Sequence, residues 1–293
     1  MKSRLLRSAL AASLIVVCLV AGCIRFSPFQ VELTDAQQRL TQKNLAKLRA
    51  KSRAPVSTEA PLSLAFLSDS HDGYKNFEDI VSAINSHPEV ELVIHGGDVT
   101  DFGTQQEYIW AYEIFTKLHA PYLEVAGNHD GLSNGRVLYG KMFGAENFEF
   151  SYGGVHFVFF NDNTIEWQET EPDLAFLKSQ VSAKAEVATV VVAHQPPYSL
   201  PHLTPEVSVQ LEGILRDAGV QFYLYGHLHD GFAAETLGPT QYVKTEAALN
   251  GTWILLQTDG QHTTIAACTF DVCSSDPLPT QAPGVDPPPS DMP

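Results

Sequence analysis

Five apolar runs in this chain each stop abruptly on aspartate, asparagine or histidine, and that pattern limits the fold more than any other feature. The runs are Leu62 to Leu67, Val90 to Ile94, Pro121 to Ala126, Val187 to Ala193 and Val220 to Tyr225. They lead into Ser68-Asp69-Ser70-His71, Gly96-Gly97-Asp98-Val99-Thr100-Asp101, Gly127-Asn128-His129-Asp130, His194-Gln195-Pro196-Pro197 and Gly226-His227-Leu228-His229. Short apolar runs closed by turn residues read as buried strands. Phe77 to Ile84, Thr104 to Leu118, Asp173 to Val181 and Thr204 to about Asp217 read as helices, the last capped by Thr204 with Pro205 in its first turn. Phe148 to Ser151 and Val155 to Phe160 read as a hairpin around Gly153-Gly154. Further strands over Tyr242 to Thr245, Trp253 to Gln257 and Thr263 to Phe270 make the end of the chain β-rich. Strands alternating with helices and followed by such an end predict an α/β sandwich.

Open α/β sheets hold their ligands beyond the carboxyl ends of the strands, where these residues fall. Gly96 and Gly97 let the backbone turn sharply and approach a ligand closely. Side chains alternate along a strand, so Asp69 and His71 would share a face, as would His227 and His229, if strand geometry persists. Oxygen and imidazole donors without thiolate suit Mn, Fe, Zn, Co or Ni. Asp98 is the natural bridge between two such ions, which stand ~3.5–4 Å apart in hydrolytic pairs. Two carboxylates, Asp69 and Asp98, leave a pair of divalent ions with net positive charge, which suits a phosphate anion.

Taken together these segments resemble the five motifs of calcineurin-like metallophosphoesterases over Leu62 to Phe270. The resemblance implies a four-layer α/β/β/α sandwich of two mixed β-sheets flanked by helices, with a binuclear metal centre. It implies that Asp69, His71, Asp98 and His229 hold one ion, and that Asp98, Asn128, His194 and His227 hold the other. His129 would stand near the leaving group, oriented by Asp130, with Asp101 behind the ligands. Asp101-Phe102-Gly103-Thr104 and His194-Gln195-Pro196-Pro197 are similar to the bacterial subgroup that includes class III cyclic-nucleotide phosphodiesterases. That subgroup often carries a second histidine where this chain has Gln195. The expected activity is hydrolysis of a phosphoester, small-molecule or lipid, by phosphatase or phosphodiesterase chemistry. Metal-bound water, with a pKa near ~7, would be the nucleophile. The competing reading is a non-catalytic, membrane-tethered binding lipoprotein that keeps the fold.

A net charge of -16 argues against a nucleic-acid polymer as partner. Lys2, Arg4 and Arg7 precede an apolar run, Ala9 to Val20, that is short for a membrane span of ~20 residues. Val20-Ala21-Gly22-Cys23 follows and resembles a bacterial lipoprotein signal. The expectation is removal of residues 1–22, a lipid on Cys23 and a membrane-anchored protein of the cell envelope. In a Gram-negative cell Ile24, in place of aspartate, favours the outer membrane. Residues 23–61 read as a tether with a helix between Thr34 and Arg53, free or packed; residues 62–273 read as the phosphoesterase domain; residues 274–293, rich in proline, read as disordered. Cys268 and Cys273 are expected to pair in an oxidising compartment. His95 reads as a packed histidine, and His87, His119 and His156 as structural or solvated. His202 and His262 are loop residues within possible reach of substrate, and Trp167, Tyr198 and Phe232 belong to the rim or the core. Glu166, Glu169 and Glu171 read as the solvated face of a helix after Asp162.

Overall fold

The structure is a computed structural model, and it describes residues 29–183, 187–198, 202–274, 276 and 278–280. The expected signal segment, Cys23 and the chain beyond residue 280 lie outside these residues. The first strands and helices are β1 (Leu62–Leu67), β2 (Val90–His95) and β3 (Tyr122–Glu124), with α1 (Leu40–Ala50) ahead of them and α2 (Tyr74–Asn85) and α3 (Gln105–Phe115) between them. Next come α4 (Gly135–Met142), β4 (Phe148–Tyr152), β5 (Val155–Phe159), α5 (Leu174–Val181), β6 (Ala188–Val192), α6 (Pro205–Ala218) and β7 (Phe222–Tyr225). The chain closes with β8 (Ala233–Leu237), β9 (Thr240–Lys244), β10 (Thr252–Thr258), β11 (Thr263–Thr269) and β12 (Val272–Ser274).

Two six-stranded mixed sheets result, ordered β12-β11-β10-β1-β2-β3 and β4-β5-β6-β7-β9-β8. In the first, β1, β2 and β3 run parallel and β10 is antiparallel to β1. In the second, β5, β6, β7 and β9 run parallel, with β4 and β8 antiparallel at the edges. Alternation along each strand divides the core into layers. Leu62, Leu64 and Phe66 of β1 join Val190, Val192, Phe222 and Leu224 between the sheets. Ala65 and Leu67 face the other way, onto Phe77, Ile80 and Ile84 of α2. Val191 and Tyr223 likewise turn out to meet Leu177 of α5 and Leu211 and Leu215 of α6. Burial on both faces explains why these strands read as continuous apolar runs. The four-layer α/β/β/α expectation describes this fold.

Some local expectations change. The segment from Thr34 to Arg53 is two pieces: a 3-10 turn, Asp35–Gln37, closed by a Thr34–Gln37 capping box, and then α1. Arg39 separates them in a left-handed conformation, its N–H bonded to the Lys141 carbonyl. The helix is part of the domain. It lies against β3 and β4, the neighbouring edges of the two sheets, with Leu40 in the helix-side core and Leu48 in the core between the sheets. Arg53 adds an ion pair to Glu91 at 2.9 Å. No helix forms over Glu166 to Glu171; residues 165–168 make a turn. Helix α4 and strands β8 and β12 were not foreseen, since Gly135 and Gly140 weaken a helical reading and β8 alternates no apolar residues beyond its start. Cys268 and Cys273, opposed across the β11–β12 hairpin, are joined by a disulfide. Among the described residues no helix is long and apolar enough to cross a membrane.

Because α1 covers two sheet edges, its removal should be felt throughout the domain. Leu48→Ala is expected to lower unfolding stability by ~2–5 kcal/mol, the usual range for a buried leucine, as read from urea denaturation. A chain starting at Leu62 should be less stable than one starting at residue 29, and a Leu48→Ala variant as stable as the parent would contradict this packing.

Candidate metal centre

The parallel strands of both sheets end along one edge, and there the five motifs meet. They do not meet as strand continuations. β1 stops at Leu67 and β7 at Tyr225, and the residues beyond turn through left-handed conformations: Asp69 (φ 58°), His71 (42°), Asp98 (56°), His227 (71°) and His229 (49°). The strand-alternation argument for Asp69/His71 and His227/His229 is therefore replaced by one of tight turns. Non-glycine residues with positive φ are uncommon, and such strain gathers at functional sites where surrounding bonds hold it. Gly97 (φ 96°) supplies the expected sharp turn. Gly127 allows a close approach, since a Cβ there would stand 2.0 Å from the Asp98 nitrogen.

The restraining bonds come from carboxylates. Asp98 Oδ1 accepts from the His129 N–H at 2.8 Å, and Asp69 Oδ2 accepts from the His227 N–H at 2.9 Å. Asp130 was expected to orient the His129 ring, and the structure gives it another task. Its buried carboxylate accepts from the N–H groups of Asp98, Thr100 and Gly127, each at 3.0 Å, and from the Thr100 hydroxyl at 2.9 Å. The His129 ring is held instead by Asp101, whose carbonyl lies 2.7 Å from Nδ1. Asp162 does on the second sheet what Asp130 does on the first: its buried carboxylate accepts from the His194 and Gln195 N–H groups and the Tyr223 hydroxyl. Nothing in the sequence marked Asp162, because its role depends on which backbone atoms the fold brings to it. Burial raises both carboxyls, to about 7 in each case, and the neighbouring Asp98 charge adds to the shift at Asp130.

The remaining atoms converge. Asp69, His71 and His229 form one group of donors, Asp98, His194 and His227 another, and His71, Asp98 and His129 a third that overlaps both. His71 Nε2 stands 3.3 Å from His229 Nε2, which is 3.1 Å from Asp69 Oδ1. His194 Nε2 stands 3.2 Å from His227 Nδ1, and Asn128 Oδ1 lies 3.1 and 3.2 Å from those two nitrogens. Asp98 Oδ2 lies between the groups, 3.2 Å from His194 Nε2 and 3.7 Å from His71 Nε2. All seven residues named as ligands are thus brought together, with His129 beside them, its ring 4.8 Å from that of His71. Of the other imidazole nitrogens, His194 Nδ1 is tied to the Gly96 carbonyl at 2.8 Å, while His71 Nδ1 faces Asp101 Oδ1 at 3.4 Å without a hydrogen bond.

This donor set fits divalent ions. Lone-pair atoms point at one another across distances that metal coordination would use, and Asp69 Oδ1 is buried with no hydrogen bond to satisfy it. Without an ion, the charges settle among themselves. Burial alone would raise Asp69 and Asp98, but His229, His194 and His71 hold Asp69 far below the carboxylate range, and His194 brings Asp98 to about 2. Burial alone would lower His194, but Asp98 and Asp69 raise it to about 10. His227, buried beside His194, falls to about 3.

The other candidates separate clearly. His95 is buried, its nitrogens 3.1 Å from Glu124 and from the Ser70 hydroxyl, as expected of a packed histidine. Trp167 is core: fully buried, it donates from Nε1 to the Gly127 carbonyl at 2.8 Å. His262 is exposed beside Asp259, Phe232 packs against the core between the sheets, and Tyr198 meets Tyr225. His202 reaches the site, its ring 5.4 Å from His227. Glu166 is not a solvated residue, for its Oε1 accepts from Asn128 Nδ2 at 3.3 Å.

Comparison with known proteins agrees with this architecture. The calcineurin-like phosphoesterase family matches residues 62–231, and the chain belongs to that family. A "Probable glycerophosphodiester phosphodiesterase GpdQ" of Arcobacter nitrofigilis is 42% identical over 50 residues, which is 17% of this chain and only 18% of that relative's length. Similar folds occur in the purple acid phosphatase PPD1 of yellow lupin, Lupinus luteus (TM-score 0.58, 13% identity, 77% of this chain and 57% of that one). They occur also in a dimetal phosphatase from Danio rerio (0.57, 12%, 74% and 97%) and in GAP50, the anchor in the inner membrane complex of Plasmodium (0.57, 14%, 76% and 90%).

In the metal-free protein His194 is favoured by Asp98 and Asp69 to hold a proton, and an ion would have to displace it. Its raised pKa contributes stability in full below ~6.5 and loses it as pH climbs through about 10. Metal affinity runs the opposite way. Binding of Mn at pH 7 is expected to release about one proton, and the association constant to rise by up to ~10-fold per pH unit between pH 6 and 8. Calorimetry in buffers of different ionisation enthalpy measures the release; a pH-independent affinity would contradict the assignment.

Proposed function

We propose that this protein is a binuclear-metal-dependent phosphoesterase acting on a small-molecule or lipid phosphoester. The observation that carries the reading is Asp98 Oδ2, standing between two groups of convergent donors. Asp69, His71, Asp98 and His229 would hold one divalent ion, and Asp98, Asn128, His194 and His227 the other; the candidates are Mn, Fe, Zn, Co and Ni. Such ions supply Lewis-acid stabilisation of phosphoryl oxygens and water of lowered pKa. The chain's own part is to fix the donors, dispose of charge and handle the leaving group.

His129 suits the last role. With Nδ1 engaged by the Asp101 carbonyl, Nε2 is the nitrogen left to face a substrate. Burial opposes its protonation, but Asp98 and Asp101 outweigh this and raise its pKa in the metal-free protein; at this position the ring would donate a proton to a departing alkoxide. Asp130 contributes indirectly, by bracing the backbone of Asp98, Thr100 and Gly127.

The short identity to the GpdQ relative, whose name is that of a glycerophosphodiester phosphodiesterase, favours a diester substrate. The order of basic, apolar and small residues before Cys23 supports an exported lipoprotein anchored in the envelope, in the outer membrane if the cell is Gram-negative. The Cys268–Cys273 disulfide suits such an oxidising compartment. A non-catalytic binding lipoprotein is the second reading, and GAP50, named as an anchor, shares the fold. The complete donor set weighs against it, since a binding scaffold has no need of one.

Purified protein loaded with Mn is expected to hydrolyse aryl phosphate mono- or diesters, and Asp98→Ala to abolish turnover. His129→Ala should retain the metals, by elemental analysis, while losing ~10²–10⁴-fold in rate. An inactive metal-loaded protein across a broad panel, indistinguishable from Asp98→Ala, would leave the binding reading standing.

A further inference from the structure

We infer that Glu166 is a positioning residue for the metal centre, acting through the side chain of Asn128. The inference rests on the proposed metal-binding function and concerns a residue outside the five motifs. An amide has two ends alike in size but opposite in hydrogen-bonding sense. One end of Asn128 faces His194 and His227, the other faces Glu166 Oε1 at 3.3 Å. An ionised carboxylate accepts and cannot donate, so the end facing it has to be the NH₂ group. That fixes Oδ1, the end able to bind a cation, toward the two histidines. Asn128 is buried, so no bulk water competes to set its orientation.

Glu166 is held where this task needs it. It lies in the turn 165–168, closed by bonds from the Gln168 N–H to the Ile165 carbonyl and from the Glu169 N–H to the Thr164 carbonyl. The next residue, Trp167, is fully buried and donates to the carbonyl of Gly127, the residue before Asn128. Arg136 donates to the Trp167 carbonyl at 2.7 Å from the other side. The turn is thus keyed to residues 127 and 128 at two adjacent points, one through a side-chain indole and one through the carboxylate. Glu166 Oε2 turns toward His202, whose Nδ1 lies 3.7 Å away and whose ring stands against that of His227. The same carboxylate therefore borders Asn128, one of the proposed ligands of the second ion, and His202, which stands against another, His227.

The test is Mn binding to the purified protein, followed by equilibrium dialysis without substrate. Glu166→Ala is expected to weaken one of two Mn sites by ~10–100-fold, the usual consequence of removing a partner behind a ligand, and to leave the other unchanged. Glu166→Gln, which keeps an acceptor oxygen, should bind close to the parent. In an Asn128→Ala background, adding Glu166→Ala should change nothing further. The inference is overturned if Glu166→Ala binds Mn as the parent does, if Glu166→Gln is as defective as Glu166→Ala, or if the loss persists at full size in the Asn128→Ala background. A parent protein that binds none of Mn, Fe, Zn, Co and Ni in the same dialysis would overturn the metal reading itself, and this inference with it.

Discussion

Carboxylates bonded to backbone N–H groups are what the rest of this site depends on. Asp69 and Asp98 each divide their two oxygens: one accepts from the backbone of a different motif, the other faces the donors. Asp130 and Asp162 devote both oxygens to backbone and hydroxyl donors on neighbouring loops. Each such bond to ionised Asp69 or Asp98 is worth ~1.5–3 kcal/mol, and several act on loops whose conformations are individually unfavourable. The left-handed turns at Asp69, Asp98 and His227 persist because residues distant in sequence fasten them to one another. These bonds between distant loops are the kind of support that holds a donor set in place for a metal.

Much of this was legible in the sequence, and the reason is that strand ends carry a strong signal. A strand buried on both faces is a continuous apolar run, and its abrupt end at Asp69, Asp98, Asn128, His194 or His227 is visible without knowing the fold. The four layers follow from the alternation of such runs with helices. What could not be read is the geometry past each strand end. Asp69 and His71 converge with His229 through turns of positive φ, and nothing in the spacing of two residues distinguishes that from a continued strand. The tasks of Asp130 and Asp162 depend on which amides surround them. Glu166, in a run of acidic residues, was read from composition as solvated, whereas Trp167 pins that turn inward. The segment before Leu62 was ambiguous for a related reason: the apolar side chains of α1 acquire meaning only once two sheet edges stand ready to receive them.

The charge balance explains why so polar a cluster can be built into a core. Two carboxylates and several imidazoles with little access to water would be costly to bury if left unpaired. Here burial and pairing push neighbouring groups in opposite directions: His194 is drawn up by Asp98 and Asp69, while His227 beside it is driven down. A protonated His194 therefore offsets part of the carboxylate charge in the metal-free protein, and neutral His227 adds none. Replacing that proton by a cation keeps the sign of the compensation and increases its size.

The two sheets meet the site from opposite sides, and this has a consequence for how its halves are coupled. Asp69, His71, Asp98 and Asn128 come from the first sheet, His194, His227 and His229 from the second, so the Asp69–His71–His229 group and the Asp98–His194–His227 group each draw on both. Neither half-site exists on one sheet alone. The packing between the sheets, from Leu64 and Phe66 across to Val192 and Leu224, is therefore also what sets distances between donors. Helix α1, lying across neighbouring edges of the two sheets, restrains that packing from a point remote from the chemistry. Core stability and site geometry are in this sense one property, carried by apolar contacts at a distance and by shared carboxylates at the centre.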